Sequence, residues 1–130
     1  WFLLSCMPRP SIELYIHALP EADAVAWLDT VLDDLTATRT APLATYEGTH
    51  GDTPVVVQIA EHVEGGAHTH LWIRSDALPW SSTADCAKAA FASTERPVLC
   101  YPDHNEDAPW RMLRVDADGA HRVDERDVTF

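Results

Sequence analysis

The chain has 130 residues, of which 46% are hydrophobic and 23% are charged. This length and balance suit one globular domain with a single hydrophobic core. Twenty-one acidic residues against nine basic ones give a formal charge of −12, which would repel a nucleic-acid backbone. No apolar run approaches the roughly eighteen residues that a membrane helix needs. Composition therefore argues against DNA, RNA and membrane partners.

Residues 1–10 are predicted to be an N-terminal extension that precedes the domain. Their first four residues lack the basic start and the length of a secretory signal. Met7 is a candidate native start, in which case residues 1–6 are upstream or added sequence. Three cysteines, Cys6, Cys86 and Cys100, show none of the paired spacing of a zinc site or a disulfide framework. We therefore expect reduced thiols and a cytoplasmic protein.

Strand and helix patterns alternate in the first half of the chain. Residues 11–18 place apolar side chains on one face and Glu13, Tyr15 and His17 on the other, which is typical of a half-buried strand. Pro20 then begins a predicted helix that runs to about Thr36, because apolar residues recur at helical spacing. These residues are Ala24, Leu28, Val31, Leu32 and Leu35. Two further strands are predicted over residues 43–47 and 55–63.

The second half repeats this order after a glycine-rich turn at Gly65 and Gly66. Its first strand should send Thr69, Leu71 and Ile73 to the core and the intervening residues to the opposite face. A helix over residues 82–94 follows, with a capping pattern between Ser82 and Asp85. The remaining strands are predicted over residues 98–101, 110–116 and 120–124.

Short sequence matches between the halves indicate an internal duplication. Leu14-Tyr15-Ile16-His17 recurs as Leu71-Trp72-Ile73-Arg74, and Ala-Leu-Pro follows both tetrapeptides. We predict a single α+β domain over residues 11–130, with similar halves at about 11–66 and 67–124 and a short tail. Its architecture would be a two-layer sandwich built from a tandem β-α-β-β repeat, with two helices on one face of a mostly antiparallel sheet.

The face without helices is the predicted binding surface. It would carry aromatic and basic side chains that make more apolar surface than a monomer usually exposes. These residues are Tyr15, His17, His70, Trp72, Arg74 and Trp110. Three different covers are open: a second copy in a homodimer, the chain's own residues 123–130, or a bound ligand.

Three histidines near the glycine turn form a candidate metal site. His62, His68 and His70 lie on two strands joined by a hairpin, and imidazoles in such positions suit zinc or nickel. The alternative is that they are solvated or interface histidines. Glu13 and His17 would be about 13 Å apart at roughly 3.3 Å per residue, too far for an acid–base pair. We predict no catalytic residue and no cofactor.

The strand-helix-strand-strand unit in tandem resembles the arrangement of the DNA gyrase inhibitor family, which implies a groove for a small cationic ligand. The vicinal-oxygen-chelate metalloenzymes also use tandem units, but they need eight strands and the sequence predicts seven. The favoured function is that of an acidic, non-enzymatic binding protein with an interaction, inhibitor-like or immunity-like role toward a basic partner. The alternatives are a binding protein for a cationic aromatic ligand and a metal-binding protein.

Overall fold

The structure, a computed structural model, describes residues 11–105 and 107–130. Its helices and strands follow in the order β1 (Ser11–His17), α1 (Glu21–Val31), β2 (Asp33–Arg39), β3 (Ala44–His50), β4 (Thr53–Ala60), β5 (His68–Ser75), α2 (Thr83–Thr94), β6 (Val98–Cys100), β7 (Arg111–Asp116) and β8 (Gly119–Asp124). The predicted extension, with Cys6 and Met7, lies outside the described residues.

The core forms between one face of the sheet and both helices. Alternation along β1 buries Ile12, Leu14 and Ile16 completely or almost completely, and these side chains belong to the same cluster as residues of both helices. Leu28 of α1 and Ala87 of α2 are two of those partners, and the small alanine lets α2 approach the sheet closely. The predicted two-layer α+β fold, with both helices on one face, is therefore confirmed.

All eight strands join one antiparallel sheet in the order β2-β3-β4-β5-β1-β6-β7-β8. β1 lies inside the sheet, with Ile12 opposite Ile73 of β5 and Tyr15 opposite Leu99 of β6. The two halves contain the same order of elements, but their strands do not occupy equivalent places. β2 is an edge strand, whereas its counterpart β6 lies beside β1. The predicted duplication therefore stays a prediction.

The first helix is shorter than the sequence predicts. It ends at Val31, and residues predicted to continue the helix and the loop after it form β2, which pairs with β3. Leu32 and Leu35 fit the helical spacing although neither lies in the helix. Leu32 contacts the core from the turn after α1, and Leu35 contacts it from β2. β2 has no buried residue, so it shows no apolar alternation that would identify a strand. The described residues therefore contain eight strands rather than seven.

The second helix begins as its capping pattern predicts. Ser82 Oγ accepts a hydrogen bond of 3.0 Å from the main-chain N–H of Asp85, which satisfies one of the free N–H groups at the helix start. Thr83 donates from both its main chain and its hydroxyl to the carboxylate of Asp103. None of the described helices has the length and apolar character required to span a membrane.

Candidate functional site

Most of the predicted surface residues lie on the face of the sheet that the helices leave open. Tyr15 and His17 alternate with the buried residues of β1, and His70, Trp72 and Arg74 do the same on β5. Tyr15 lies directly opposite His70. Trp110 immediately precedes β7, apart from the other members of the set.

Residues 125–130, which we call the strap, cross this open face. The strap begins where the main-chain N–H of Glu125 donates to the carbonyl of Trp110 over 2.8 Å. At its other end, the ring of Phe130 contacts Tyr15, with centroids 4.8 Å apart. The main-chain oxygen of Phe130 accepts from the N–H of His68 at 3.0 Å and lies 2.9 Å from His68 Nδ1. The chain's own tail thus covers part of the predicted binding surface.

Gly66 makes room for the end of the strap. A Cβ atom at this position would overlap the main-chain carbonyl group of Phe130. The requirement is steric and not conformational, because Gly66 has an extended backbone with a φ of −94° that any residue can adopt. A glycine in the hairpin therefore serves the packing of the strap as well as the turn.

The remaining predicted surface residues are paired with one another. The Arg74 guanidinium lies 4.3 Å from the centroid of the Trp72 ring, in a cation–π contact. His70 Nε2 lies 3.0 Å from Glu13 Oε1, and its ring stacks on Tyr15 at 4.9 Å. The chain's own arginine therefore occupies one face of the Trp72 ring.

The hydroxyl of Tyr15 remains protonated in this environment. Burial is the main cause that raises its pKa, and the negative charges of Glu13 and Glu64 raise it further. A neutral phenol beneath Phe130 contributes a ring for packing and a hydrogen-bonding hydroxyl group, without adding negative charge to the sheet face.

The three histidines of the predicted metal site do not converge. His62 Nδ1 lies 3.2 Å from the carbonyl oxygen of Gly66, whereas His68 contacts Phe130 and His70 contacts Glu13. Within residues 11–105 and 107–130, no group of three or more His, Cys, Asp or Glu side chains is placed to hold a metal ion. Each histidine instead has a partner within the protein.

Nucleophilic chemistry by the two described thiols is disfavoured. Cys86 and Cys100 are free and buried. Burial raises the pKa of both thiols, that of Cys100 to about 12. A thiolate is the reactive form of cysteine, so these groups behave as small apolar core residues at neutral pH.

A cavity of about 500 Å³ lies between the strap and the open face of the sheet. His17, His68, Leu99 and Arg114 line it from the sheet, and Asp127 and Val128 line it from the strap. The rings of His17 and His68 meet edge to face, with centroids 5.3 Å apart. His17 is predicted from the sequence as a surface residue, whereas Arg114 and the cavity are not, because both depend on where the strap lies.

Trp110 is the one large hydrophobic residue that is exposed among those the structure describes, with 48% of its surface accessible. Two shallow depressions border its ring, and Asp124 lines both of them. The hydrogen bond from Glu125 holds the main chain at this point. Trp110 is therefore an apolar contact point with charged neighbours.

The observed number of strands corrects the sequence prediction. Each half contains one helix and four strands, but the strands of the two halves do not occupy equivalent places in the sheet. Compared with protein-family models, with curated proteins and with solved structures, the chain matches none.

Proposed function

We propose that the protein acts by binding a basic protein partner and not by catalysis, in an interaction, inhibitor-like or immunity-like role. The observation that carries this proposal is that the excess negative charge is not neutralised within the fold. Ion pairs in the described part engage Glu13, Asp116 and Asp124. Exposed carboxylates such as those of Asp33 and Asp34 have no such partner there.

Trp110 supplies the apolar contact that such a complex needs. Tryptophan is enriched among the residues that dominate binding energy, particularly where polar neighbours surround it and exclude water. Asp124, Glu125 and Arg126 surround Trp110 in this way. We infer that a partner places an apolar or cationic side chain against this indole, because the ring face attracts cations.

The surface carboxylates and the indole of Trp110 should affect binding at different stages. Carboxylates spread over the surface attract a basic partner before contact, so they raise the association rate and make it sensitive to salt. A buried anchor acts after contact and mainly sets the dissociation rate. The proposal therefore predicts different kinetic effects for the two kinds of residue.

The test uses surface plasmon resonance with pairs of synthetic peptides. The two members of a pair differ only in that one carries Lys and Arg where the other carries Asp and Glu. Basic peptides should bind, and raising the salt concentration should slow their association. Trp110→Ala should weaken binding about 30-fold, for a loss of about 2 kcal/mol at an anchor residue, mainly through faster dissociation. Asp33→Asn with Asp34→Asn should instead slow association.

Equal binding of the acidic and basic peptides would contradict the proposal, and so would unchanged binding by Trp110→Ala. The homodimer that the sequence suggests would instead join two copies through the open face of the sheet, a surface predicted to include Trp110. In that case sedimentation would show a dimer whose stability Trp110→Ala reduces, with no peptide binding. The free thiols Cys86 and Cys100 support the proposed cytoplasmic location, because reduced cysteines are the rule in that compartment.

A further inference from the structure

The cavity under the strap has a chemical character different from that of the protein as a whole. The chain carries a formal charge of −12, yet the sheet side of this cavity presents two arginines, Arg114 and Arg122, with His17 and His68. Its volume of about 500 Å³ lies within the range of small-molecule sites, about 300–1,000 Å³.

Arg114 retains hydrogen-bonding capacity for a ligand. Its Nε lies 3.2 Å from Asp116 Oδ2, but a guanidinium group has five N–H donors, and the two terminal amino groups have no partner among the described residues. These are the groups with which arginine binds an oxyanion. The pairing with Asp116 fixes the orientation of the side chain without using all of its donors.

His17 adds a donor to the cavity, whereas the proton of His68 is already used within the protein. His68 Nδ1 lies 2.9 Å from the main-chain oxygen of Phe130, and a carbonyl-type oxygen accepts, so this nitrogen carries the proton. The ring of His17 is exposed, contacts His68 edge to face and has no hydrogen bond within the described chain. One ring nitrogen of His17 therefore remains available as a donor.

The acidic residues of the cavity limit the charge of its ligand. Asp124 is engaged by Arg126, whose main-chain N–H and side chain lie 3.0 and 3.2 Å from its carboxylate. Asp127 is exposed on the strap side and has no ion pair in the described residues. Arg122 lines the same cavity, also without an ion pair in the described residues, so the charges of Arg122 and Asp127 offset each other. Arg114 is then the cation left to face the ligand, so the cavity suits a monoanion better than a dianion.

The apolar residues that line the cavity indicate what the uncharged part of the ligand is. Leu99 is 6% exposed and lies on the sheet side, and Val128 faces it from the strap. An aliphatic body placed between them would be removed from water, which favours binding. We propose that this cavity binds a small aliphatic monocarboxylate, with Arg114 and His17 as donors to its carboxylate.

The experiment is a titration of the full chain, followed by ¹H–¹⁵N NMR, with 4-methylpentanoate, inorganic phosphate, succinate and isoamylamine. Resonances of the strap and of Leu99 should shift with 4-methylpentanoate, and its dissociation constant should be the lowest of the four. Arg114→Gln should weaken binding about tenfold or more, since a hydrogen bond to a charged group contributes that much. His17→Gln should weaken it less.

Arg39→Gln is the matched control, because it makes the same change of charge on the exposed edge strand β2, at the other edge of the sheet from β8. It should leave the dissociation constant unchanged. Tighter binding of the amine or of the dianions would overturn the assignment of ligand class. The absence of shifts with all four compounds, or an equal loss with Arg39→Gln and Arg114→Gln, would overturn the site.

Discussion

The substitution Gly66→Ala tests the position of the strap directly. The added methyl group would overlap the main-chain carbonyl group of Phe130, and main-chain atoms cannot move aside as the tip of a flexible side chain can. Alanine itself is compatible with the backbone at this position, whose φ is −94°. We therefore expect the whole cost of the substitution to come from displacement of the strap.

The size of that cost follows from the contacts that the strap would lose. Two hydrogen bonds between His68 and the Phe130 oxygen, at 3.0 and 2.9 Å, contribute about 1 kcal/mol each. The contact between Phe130 and Tyr15 contributes about 1 kcal/mol beyond the area that it buries. The free energy of unfolding should therefore fall by about 3 kcal/mol.

Urea unfolding followed by circular dichroism measures this change. The control is a chain that ends at Thr129, in which the clash cannot occur. In that background Gly66→Ala should be neutral or should stabilise the protein by up to about 1 kcal/mol, since alanine restricts the unfolded chain. If Gly66→Ala is neutral in the full chain, the strap does not pack against this glycine.

Three further predictions concern the hydroxyl of Tyr46, the two buried thiols and the Ser82 cap of α2. The hydroxyl of Tyr46 donates a hydrogen bond to Glu21, which, together with burial, raises the pKa of Tyr46 to about 12. This hydrogen bond should stabilise the fold below pH 10 and cease to do so as pH rises through 12. Absorbance at 295 nm should show the late titration of this tyrosine, and Tyr46→Phe should remove that titration. In a Cys6→Ser variant, native protein should give no reaction with a thiol reagent at pH 8, because burial raises the pKa of the Cys86 and Cys100 thiols, and two thiols should react after unfolding. Ser82→Ala should lower the free energy of unfolding by about 1 kcal/mol through loss of the helix cap; a change below 0.3 kcal/mol would contradict that role.

The sequence predicts well those elements whose burial differs between their two faces. β1 and β5 alternate between buried and partly exposed residues, and the period of two identifies them without other knowledge. Ser82 identifies the start of α2 because its hydrogen bond is local. Such features require only residues that are near one another in the chain.

Features that depend on distant contacts were missed for a physical reason. β2 is polar and largely exposed, with Leu35 as its one partly buried residue, and its pairing with β3 makes it a strand. The sequence leaves residues 123–130 as one of three possible covers of the open face, and only the contacts of Phe130 with Gly66 and His68, more than sixty residues away along the chain, fix where they pack. The cavity and the role of Arg114 follow from that position, so the sequence predicted neither.

The location of β1 bears on how the protein is made. Both neighbours of this strand, β5 and β6, come from the second half of the chain, so translation delivers the middle of the sheet first and the strands on either side of it much later. Pairing between such distant segments is slow, and until it occurs β1 has two unpaired edges that favour aggregation. A chain interrupted before β6 would leave one of those edges permanently open.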